Sequence, residues 1–373
     1  MSLHLHWFLP TSGDGREVVG FVNQEGTASV DRAPTLDYLA QVPLAAESLG
    51  FEAVLTPTGT WCSDAWITTA ALLGRTSTLK FLVAFRPGLI TPTLAAQQAA
   101  AYAELSGGRL LLNVVTGGDQ QEQRRFGDWL DHDQRYERTD EFLQVLRGAW
   151  SGAPFDFEGA HYKVAGATVR SVPSPTPEIF FGGASPAGRE VAAARADTYL
   201  TWTEPPAQVA ELIDDVRQRA ARHGRTLTFG IRAHVIARDT SEQAWAEAAR
   251  LQSRMDPQVI AKAQKRFSSA DSEGQRRQAS LRQGANERLE IHPGLWAGYG
   301  LVRTGAGTAF VGSHAEVASL IEEYAEIGIK HFILSGQPHL EEAYWVGEGV
   351  LPELRRRGRI GAQGADLRVP ALA

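Results

Sequence analysis

Short apolar runs alternate with longer amphipathic stretches along most of the chain. A run rich in Val, Ile, Leu and Phe between turn-forming residues predicts a buried strand. Eight runs meet this description, at 3–9, 53–57, 80–85, 109–115, 178–183, 198–202, 227–236 and 330–335. Because helical patterns separate these runs, parallel pairing in a (β/α)8 TIM barrel is predicted, and a doubly wound open sheet is the alternative.

The helical patterns carry their own boundary signals. Apolar residues recur on one face over 38–49, and Gly50 is a typical stop. Ser313 and Glu316 have the capping-box spacing, which predicts a helix that continues to Ile327.

The spacing of the predicted strands is uneven between strands 7 and 8, which more than ninety residues separate. The excess, residues 256–312, is predicted as an insertion after strand 7 that lies over the catalytic face as a lid. The other interpretation is that this insertion serves only for packing or for dimerisation. A second extension at 152–172 is predicted as a hairpin. We treat residues 1–373 as one domain, with 353–373 as a C-terminal tail.

Composition narrows the class of protein. A net charge of −6 is not typical of a nucleic-acid or membrane-surface binder. The single cysteine, Cys62, rules out a disulfide within the chain and fits a cytoplasmic location. We find no signal-peptide pattern and no transmembrane stretch.

Arg232 and His234 are the most informative polar residues. They lie two positions apart in an apolar run, so on a strand they share a face. A buried guanidinium needs a polar cavity, a bound anion or a carboxylate. This pair is therefore either a functional anion site or part of a structural ion pair.

The ends of the other predicted strands supply further candidates. Residues 182–185, a Gly-Gly-Ala-Ser segment before a helix, favour either a phosphate site or a tight turn capped by Ser185. Further cofactor contacts are expected from Thr58, Asn113, Thr116 and Tyr136, with Gly182, Gly183 and Ala184. There is no Walker A motif, no G-x-G-x-x-G after a strand, no metal-ligand cluster and no nucleophile elbow. A phosphate-bearing cofactor is therefore expected to supply the chemistry.

At these residues the sequence resembles the bacterial-luciferase-like two-component flavin monooxygenases, and most closely the alkanesulfonate monooxygenases. The resemblance spans about residues 3–350. The matching segments include Trp7-Phe8-Leu9-Pro10-Thr11, Glu104-Leu105-Ser106-Gly107-Gly108-Arg109, Asn113-Val114-Val115-Thr116-Gly117, Tyr199-Leu200-Thr201-Trp202, Gly230-Ile231-Arg232, Gly300-Leu301-Val302-Arg303 and Pro338-His339-Leu340-Glu341-Glu342.

The resemblance implies a homodimeric or homotetrameric barrel that uses reduced FMN (FMNH2), delivered by a separate NAD(P)H-dependent FMN reductase, together with O2. An organosulfonate is then converted to an aldehyde and sulfite. The matching active-site positions are Cys62, Trp202, Arg232, His234, Arg303 and His339. Arginine is a natural partner for a sulfonate, and a histidine suits acid or base work near neutral pH.

Three positions depart from the family pattern and bear on the substrate. Thr60-Trp61 replaces the usual Arg-Ser, Gln337 replaces a Tyr, and Ser12 replaces a His. Trp61 offers a flat apolar face and Gln337 a donor and an acceptor, as a sugar would require. A sugar sulfonate such as sulfoquinovose is therefore an alternative substrate. The sequence also leaves open a deazaflavin-dependent dehydrogenase and a catalytically silent flavin-binding barrel.

Overall fold

Thirteen strands are present in the computed structural model, which describes residues 2–18, 31–268, 272–282 and 288–361. The strands are β1 His4–Phe8, β2 Ala53–Thr56, β3 Lys80–Phe85, β4 Leu110–Val114, β5 Phe155–Glu158, β6 Lys163–Ala167, β7 Ile179–Gly182, β8 Thr198–Trp202, β9 Thr228–Arg238, β10 Glu290–His292, β11 Leu295–Trp296, β12 Ala309–Ser313 and β13 His331–Ser335. Every predicted strand is confirmed, and β5 and β6 form the predicted hairpin.

Eight of these strands pair in parallel in the order β1-β2-β3-β4-β7-β8-β9-β13, and β13 pairs with β1 to close the ring. The closed ring confirms the predicted (β/α)8 barrel and excludes the open sheet. Side chains that point inward fill the barrel, because successive strand residues alternate between its two faces. This inner cluster comprises Phe8, Ala53, Leu55, Leu82, Leu111, Phe180, Leu200 and Ile333.

Helices surround the barrel. They are α1 Leu36–Leu49, α2 Ala65–Leu72, α3 Pro92–Ser106, α4 Gln120–Arg125, α5 His132–Ala149, α6 Pro186–Arg195, α7 Pro206–Arg222, α8 Ser241–Ser253, α9 Pro257–Ser268, α10 Glu273–Ser280, α11 His314–Glu326, α12 His339–Trp345 and α13 Leu351–Arg356. Both predicted boundary signals are confirmed, since Gly50 ends α1 with φ 90° and Ser313 and Glu316 form a capping box on α11. None of the helices in the described ranges is long and apolar enough to cross a membrane.

The strand β9 is unusually long and organises the region above the barrel. Its first half pairs with β8 and β13, and its second half pairs in parallel with β12. The strand β12 was not predicted, because its short apolar run lies almost entirely within the predicted insertion 256–312. Arg232 and His234 lie where β8 ends and β12 begins, since Trp202 pairs with Arg232 and Ala309 pairs with His234.

The insertion 256–312 contains α9, α10 and β10–β12, and residues 269–271 and 283–287 of it lie outside the described part of the chain. It contacts the segment directly after β8. Arg277 of α10 forms an ion pair with Glu204, and Gln278 Nε2 donates to Thr203 O at 3.0 Å. The insertion therefore covers the carboxyl end of the barrel, although its predicted movement as a lid stays a prediction.

The described part of the C-terminal tail is held against the barrel. Arg357 and Arg359 both form ion pairs with Glu322, and Leu3 N donates to Arg359 O at 2.8 Å. Residues 362–373 lie outside the described part.

Candidate active site

A cavity of about 350 Å³ opens at the carboxyl end of the barrel, beneath the insertion. Most of the residues that the sequence predicted for the site line this cavity, namely Trp61, Asn113, Thr116, Tyr136, Gly182, Gly183, Ala184, Ser185, Trp202, Arg232, His234 and Arg303. Four predicted residues are not among the lining residues: Thr58, Cys62, Gln337 and His339.

One end of the cavity has the geometry of a phosphate cradle. Ser185 caps α6, and its hydroxyl accepts a hydrogen bond from Gly188 N at 3.1 Å. A side chain at Gly183 would place its Cβ 2.9 Å from the Tyr136 hydroxyl oxygen and 3.2 Å from Gly188 Cα. Glycine at position 183 therefore keeps the space between the Tyr136 hydroxyl and the start of α6 clear of a side chain. The Ser185 cap is the tight-turn geometry that the sequence also allowed, and the clear space beside it would accept the phosphate of FMN.

The other end of the cavity holds a hydrogen-bonded chain that begins at Arg232. Arg232 Nη2 donates to Ser335 Oγ at 2.7 Å, and the Ser335 hydroxyl donates to His234 Nδ1 at 2.8 Å. His234 Nε2 in turn donates to Ala306 O at 3.2 Å. Both nitrogens of His234 are thus bonded to protein groups, and Ser335, the last residue of β13, links the predicted pair.

His234 also connects the barrel to the insertion. Its ring stacks on Tyr299 with centroids 4.0 Å apart, and its backbone N–H donates to Thr308 O at 2.9 Å. Burial, together with the nearby Arg303 and Arg232, holds the pKa of His234 well below its usual range. The ring is therefore neutral at neutral pH, which favours an orienting role over proton transfer.

Arg232 occupies an electrostatically unfavourable position. Its side chain contacts the backbone carbonyls of Ala233 and Ile333, the Ser335 hydroxyl and the face of Phe8, 4.8 Å from the guanidinium carbon to the ring centroid. Burial and repulsion from Arg303 lower the pKa of Arg232 to about 9. Burial also lowers the pKa of Arg303. A bound anion would relieve this repulsion.

Trp202 lines the cavity and also contacts the insertion. A Cβ added to Gly274 of α10 would lie 2.9 Å from the indole, and one added to Gly305 would lie 3.8 Å from it. The indole therefore packs against backbone of the insertion on one side and lines the cavity on the other.

His339 lies behind the cavity wall and is fully buried. Its Nδ1 donates to Asp14 Oδ1 at 2.9 Å, and the hydroxyl of Tyr38 donates to the same carboxylate. Burial lowers the pKa of His339, although Asp14 opposes this shift. Neither Asp14 nor Tyr38 was predicted, because each meets His339 only through the fold.

Cys62 does not lie where a reactive thiolate would be stabilised. Its Sγ is 3.7 Å from Pro57 O and 3.6 Å from Gly59 O. Burial raises the pKa of this thiol to about 12, so it stays protonated at neutral pH. The surroundings favour a packing role.

Trp61 and Gln337, the two residues predicted to bind a sugar, lie in different environments. Trp61 lines the mouth of the cavity and is 38% exposed. Gln337 is only 2% exposed, and its amide nitrogen donates to Gly15 O. Trp61 is therefore placed to meet a substrate, whereas Gln337 is committed to the loop after β1.

Potential metal ligands do not cluster in the described ranges, where no group of three or more His, Cys, Asp or Glu side chains could hold an ion. These features define a class of protein: a barrel that has a phosphate-type cradle and a cationic pocket at its carboxyl end. The family model of luciferase-like monooxygenases matches residues 5–331, and the chain belongs to this family. It is accordingly a flavin-dependent monooxygenase by family.

Several solved structures share the fold of this chain. A riboflavin lyase with modified FMN and riboflavin matches with a TM-score of 0.79 at 22% identity, covering 97% of this chain and 93% of the other. A long-chain alkane monooxygenase matches with a TM-score of 0.78 at 20% identity, covering 97% of this chain and 93% of the other. An EDTA monooxygenase from Chelativorans sp. BNC1 matches with a TM-score of 0.77 at 20% identity, covering 97% of this chain and 95% of the other. At these identities the similarity establishes the fold.

Proposed function

We propose that this protein is an FMNH2- and O2-dependent monooxygenase that converts an organosulfonate of the alkanesulfonate type to an aldehyde and sulfite. The observation that carries the proposal is the partly buried Arg232, which lines the cavity and bonds to neutral groups while it faces repulsion from Arg303. A sulfonate remains anionic at every working pH and suits arginine through charge-assisted hydrogen bonds.

The flavin end of the proposal rests on the cradle at Gly183 and Ser185. These residues, with Tyr136, would hold the phosphate of FMN at the N-terminus of α6. Bound FMNH2 supplies two electrons for the activation of O2. One oxygen atom ends in the aldehyde and the other in water, while the C–S bond breaks and sulfite leaves.

The protein groups then have separable tasks. Arg232 and Arg303 bind and orient the sulfonate, and Trp202 walls the reacting space. The insertion, held to Glu204 and Thr203, keeps bulk water away. We further propose that a separate NAD(P)H-dependent reductase supplies FMNH2 in the cytoplasm and that the protein works as a homo-oligomer.

Sulfite release tests the proposal directly. The protein, octanesulfonate, O2 and FMNH2 from an unrelated reductase should yield sulfite and octanal in equal amounts. Arg232→Met should reduce sulfite release by at least a hundredfold, whereas Arg170→Met, a change at an arginine whose side chain is 82% exposed, should have no effect. Absence of sulfite with every sulfonate offered would refute the proposal.

A sugar sulfonate such as sulfoquinovose is the second candidate, and the exposed indole of Trp61 at the cavity mouth favours it. This reaction would release sulfite and a 6-oxo-glucose. Comparing kcat/KM for sulfoquinovose and octanesulfonate decides between them, because equal or faster turnover of the alkane excludes the sugar preference. A Trp61→Ala variant should lose more activity on the sugar than on the alkane.

Oxygen uptake separates both candidates from a deazaflavin-dependent dehydrogenase. A monooxygenase consumes one O2 for each sulfite released, whereas a dehydrogenase consumes none. A silent flavin-binding barrel would bind FMN and release no sulfite.

A further inference from the structure

Asp14 is a fully buried carboxylate in the loop after β1, and no catalytic role follows for it from the sequence. It accepts hydrogen bonds from Gly15 N at 2.9 Å, from the Tyr38 hydroxyl, from His339 N at 2.8 Å and from His339 Nδ1 at 2.9 Å. A carboxylate with several donors is strongly stabilised as the anion. These donors keep the pKa of Asp14 far below its usual range, against the effect of burial.

The ionised state of Asp14 determines the tautomer of His339. A carboxylate only accepts hydrogen bonds, so the proton between the two groups lies on His339 Nδ1. Since the pKa of His339 is lowered, the ring carries no second proton at neutral pH. Nε2 is then the acceptor nitrogen of the ring.

The charge of Asp14 also reaches the cavity. Its partner His339 packs against Phe8, with 5.4 Å between the ring centroids, and Phe8 lines the cavity and contacts the guanidinium of Arg232. The charge of Asp14 also acts favourably on Arg303. On its outer side, Tyr38 contacts Arg32, with 5.7 Å between the guanidinium carbon and the ring centroid, and Arg32 pairs with Glu341. Asp14 thus lies between an ion-paired outer layer and the cationic cavity.

We infer that Asp14 is a positioning residue with two effects on the proposed site: it holds His339 as the Nδ1-protonated tautomer, and its charge offsets part of the positive charge of Arg303. It touches neither substrate nor cofactor and acts through these two side chains. The activity readout rests on the proposed function, whereas the tautomer and the anion affinity do not.

Nuclear magnetic resonance of protein labelled with ¹⁵N-histidine tests the first effect. His339→Gln identifies the signals of the ring. In the wild-type protein at pH 7, Nδ1 should be protonated and Nε2 should not. In Asp14→Asn, an amide N–H competes for Nδ1, so the Nε2-protonated form should appear. An Nε2-protonated ring in the wild-type protein, or an unchanged ring in Asp14→Asn, would overturn this assignment.

Anion binding tests the second effect, with inorganic sulfate as the probe and the fluorescence of Trp61 and Trp202 as the signal. Loss of the Asp14 charge should tighten sulfate binding by about threefold to tenfold in Asp14→Asn. Tyr38→Phe keeps the charge, so its affinity should stay within about twofold. Asp128→Asn removes another buried carboxylate, which pairs with Arg138 and is not among the cavity lining residues, and should also leave sulfate affinity unchanged.

Turnover and binding should move in opposite directions in Asp14→Asn. We expect kcat for octanesulfonate to fall at least tenfold while sulfate binds more tightly. A purely structural role would weaken both, and that result would overturn the inference. If no variant and no wild-type protein releases sulfite, the proposed function fails while the tautomer and affinity results still decide the role of Asp14.

Discussion

Replacing Arg232 by methionine should stabilise the protein in the absence of ligand while it removes activity. The folded environment lowers the pKa of Arg232 to about 9. At about 1.4 kcal/mol per pKa unit, holding the charged side chain in place costs the folded state about 5 kcal/mol relative to the unfolded chain. A methionine keeps most of the apolar volume and carries no charge.

The lost hydrogen bonds reduce this gain. Arg232 donates to Ser335 Oγ and to two backbone carbonyls, and each such bond contributes about 1 kcal/mol. We therefore expect Arg232→Met to raise the free energy of unfolding by about 1–3 kcal/mol at pH 7. Sulfate at ten times its Kd should stabilise the wild-type protein by about 1.4 kcal/mol and the variant by much less.

Urea denaturation at several sulfate concentrations measures both effects. Arg238→Met is the contrasting control, because Arg238 pairs with the buried Glu342 and its loss should destabilise the protein by about 3–5 kcal/mol. If Arg232→Met were less stable than the wild-type protein without sulfate, the electrostatic account of the cavity would be wrong.

Three further predictions concern acid stability, flavin binding and the thiol. Burial lowers the pKa of His331 to about 3, so the unfolded chain binds more protons than the folded protein between pH 6.5 and 3. The free energy of unfolding should therefore decrease as the pH is lowered through that range, and this residue should account for about 2 kcal/mol of the loss at pH 5. The decrease should be smaller in His331→Gln. Gly183→Ala should weaken FMN binding at least tenfold in a flavin-fluorescence titration, because its Cβ would lie 2.9 Å from the Tyr136 hydroxyl oxygen. Gly74→Ala is the control and should leave FMN binding unchanged, because no atom lies within 4 Å of a Cβ at that position. Cys62→Ala should keep kcat within about threefold, and the wild-type thiol should resist iodoacetamide at pH 8; rapid alkylation would contradict its raised pKa.

The sequence predicted the barrel well because hydrophobic periodicity is local. All eight barrel strands were located to within a residue or two, and Gly50 and Ser313 marked helix boundaries correctly. The strand β12 was missed because its run, Ala309–Ser313, is short and pairs with β9 only after a long excursion of the chain. Local patterns do not report such pairings.

The candidate site was predicted in part, for the same physical reason. Strand-end glycines, tryptophans and arginines were found because all strand ends of a barrel converge. Asp14 was not found, since 325 residues separate it from His339 and nothing in its surroundings marks it. The side-chain direction of Gln337 could not be predicted from the sequence either, because its hydrogen bond to Gly15 O joins residues 322 positions apart.

The balance of charge around the cavity links these observations to the substrate. Among the described groups that line or back the cavity, Glu204 is neutralised by Arg277 and Glu273 by Arg276, while His234 and His339 are neutral. Arg232 then lies among neutral groups, and Arg303 lowers its pKa further. A headgroup with a permanent negative charge, such as a sulfonate, would stabilise the charged Arg232 side chain, whereas a neutral alkane would not. The arrangement therefore favours an anionic substrate over a neutral hydrocarbon.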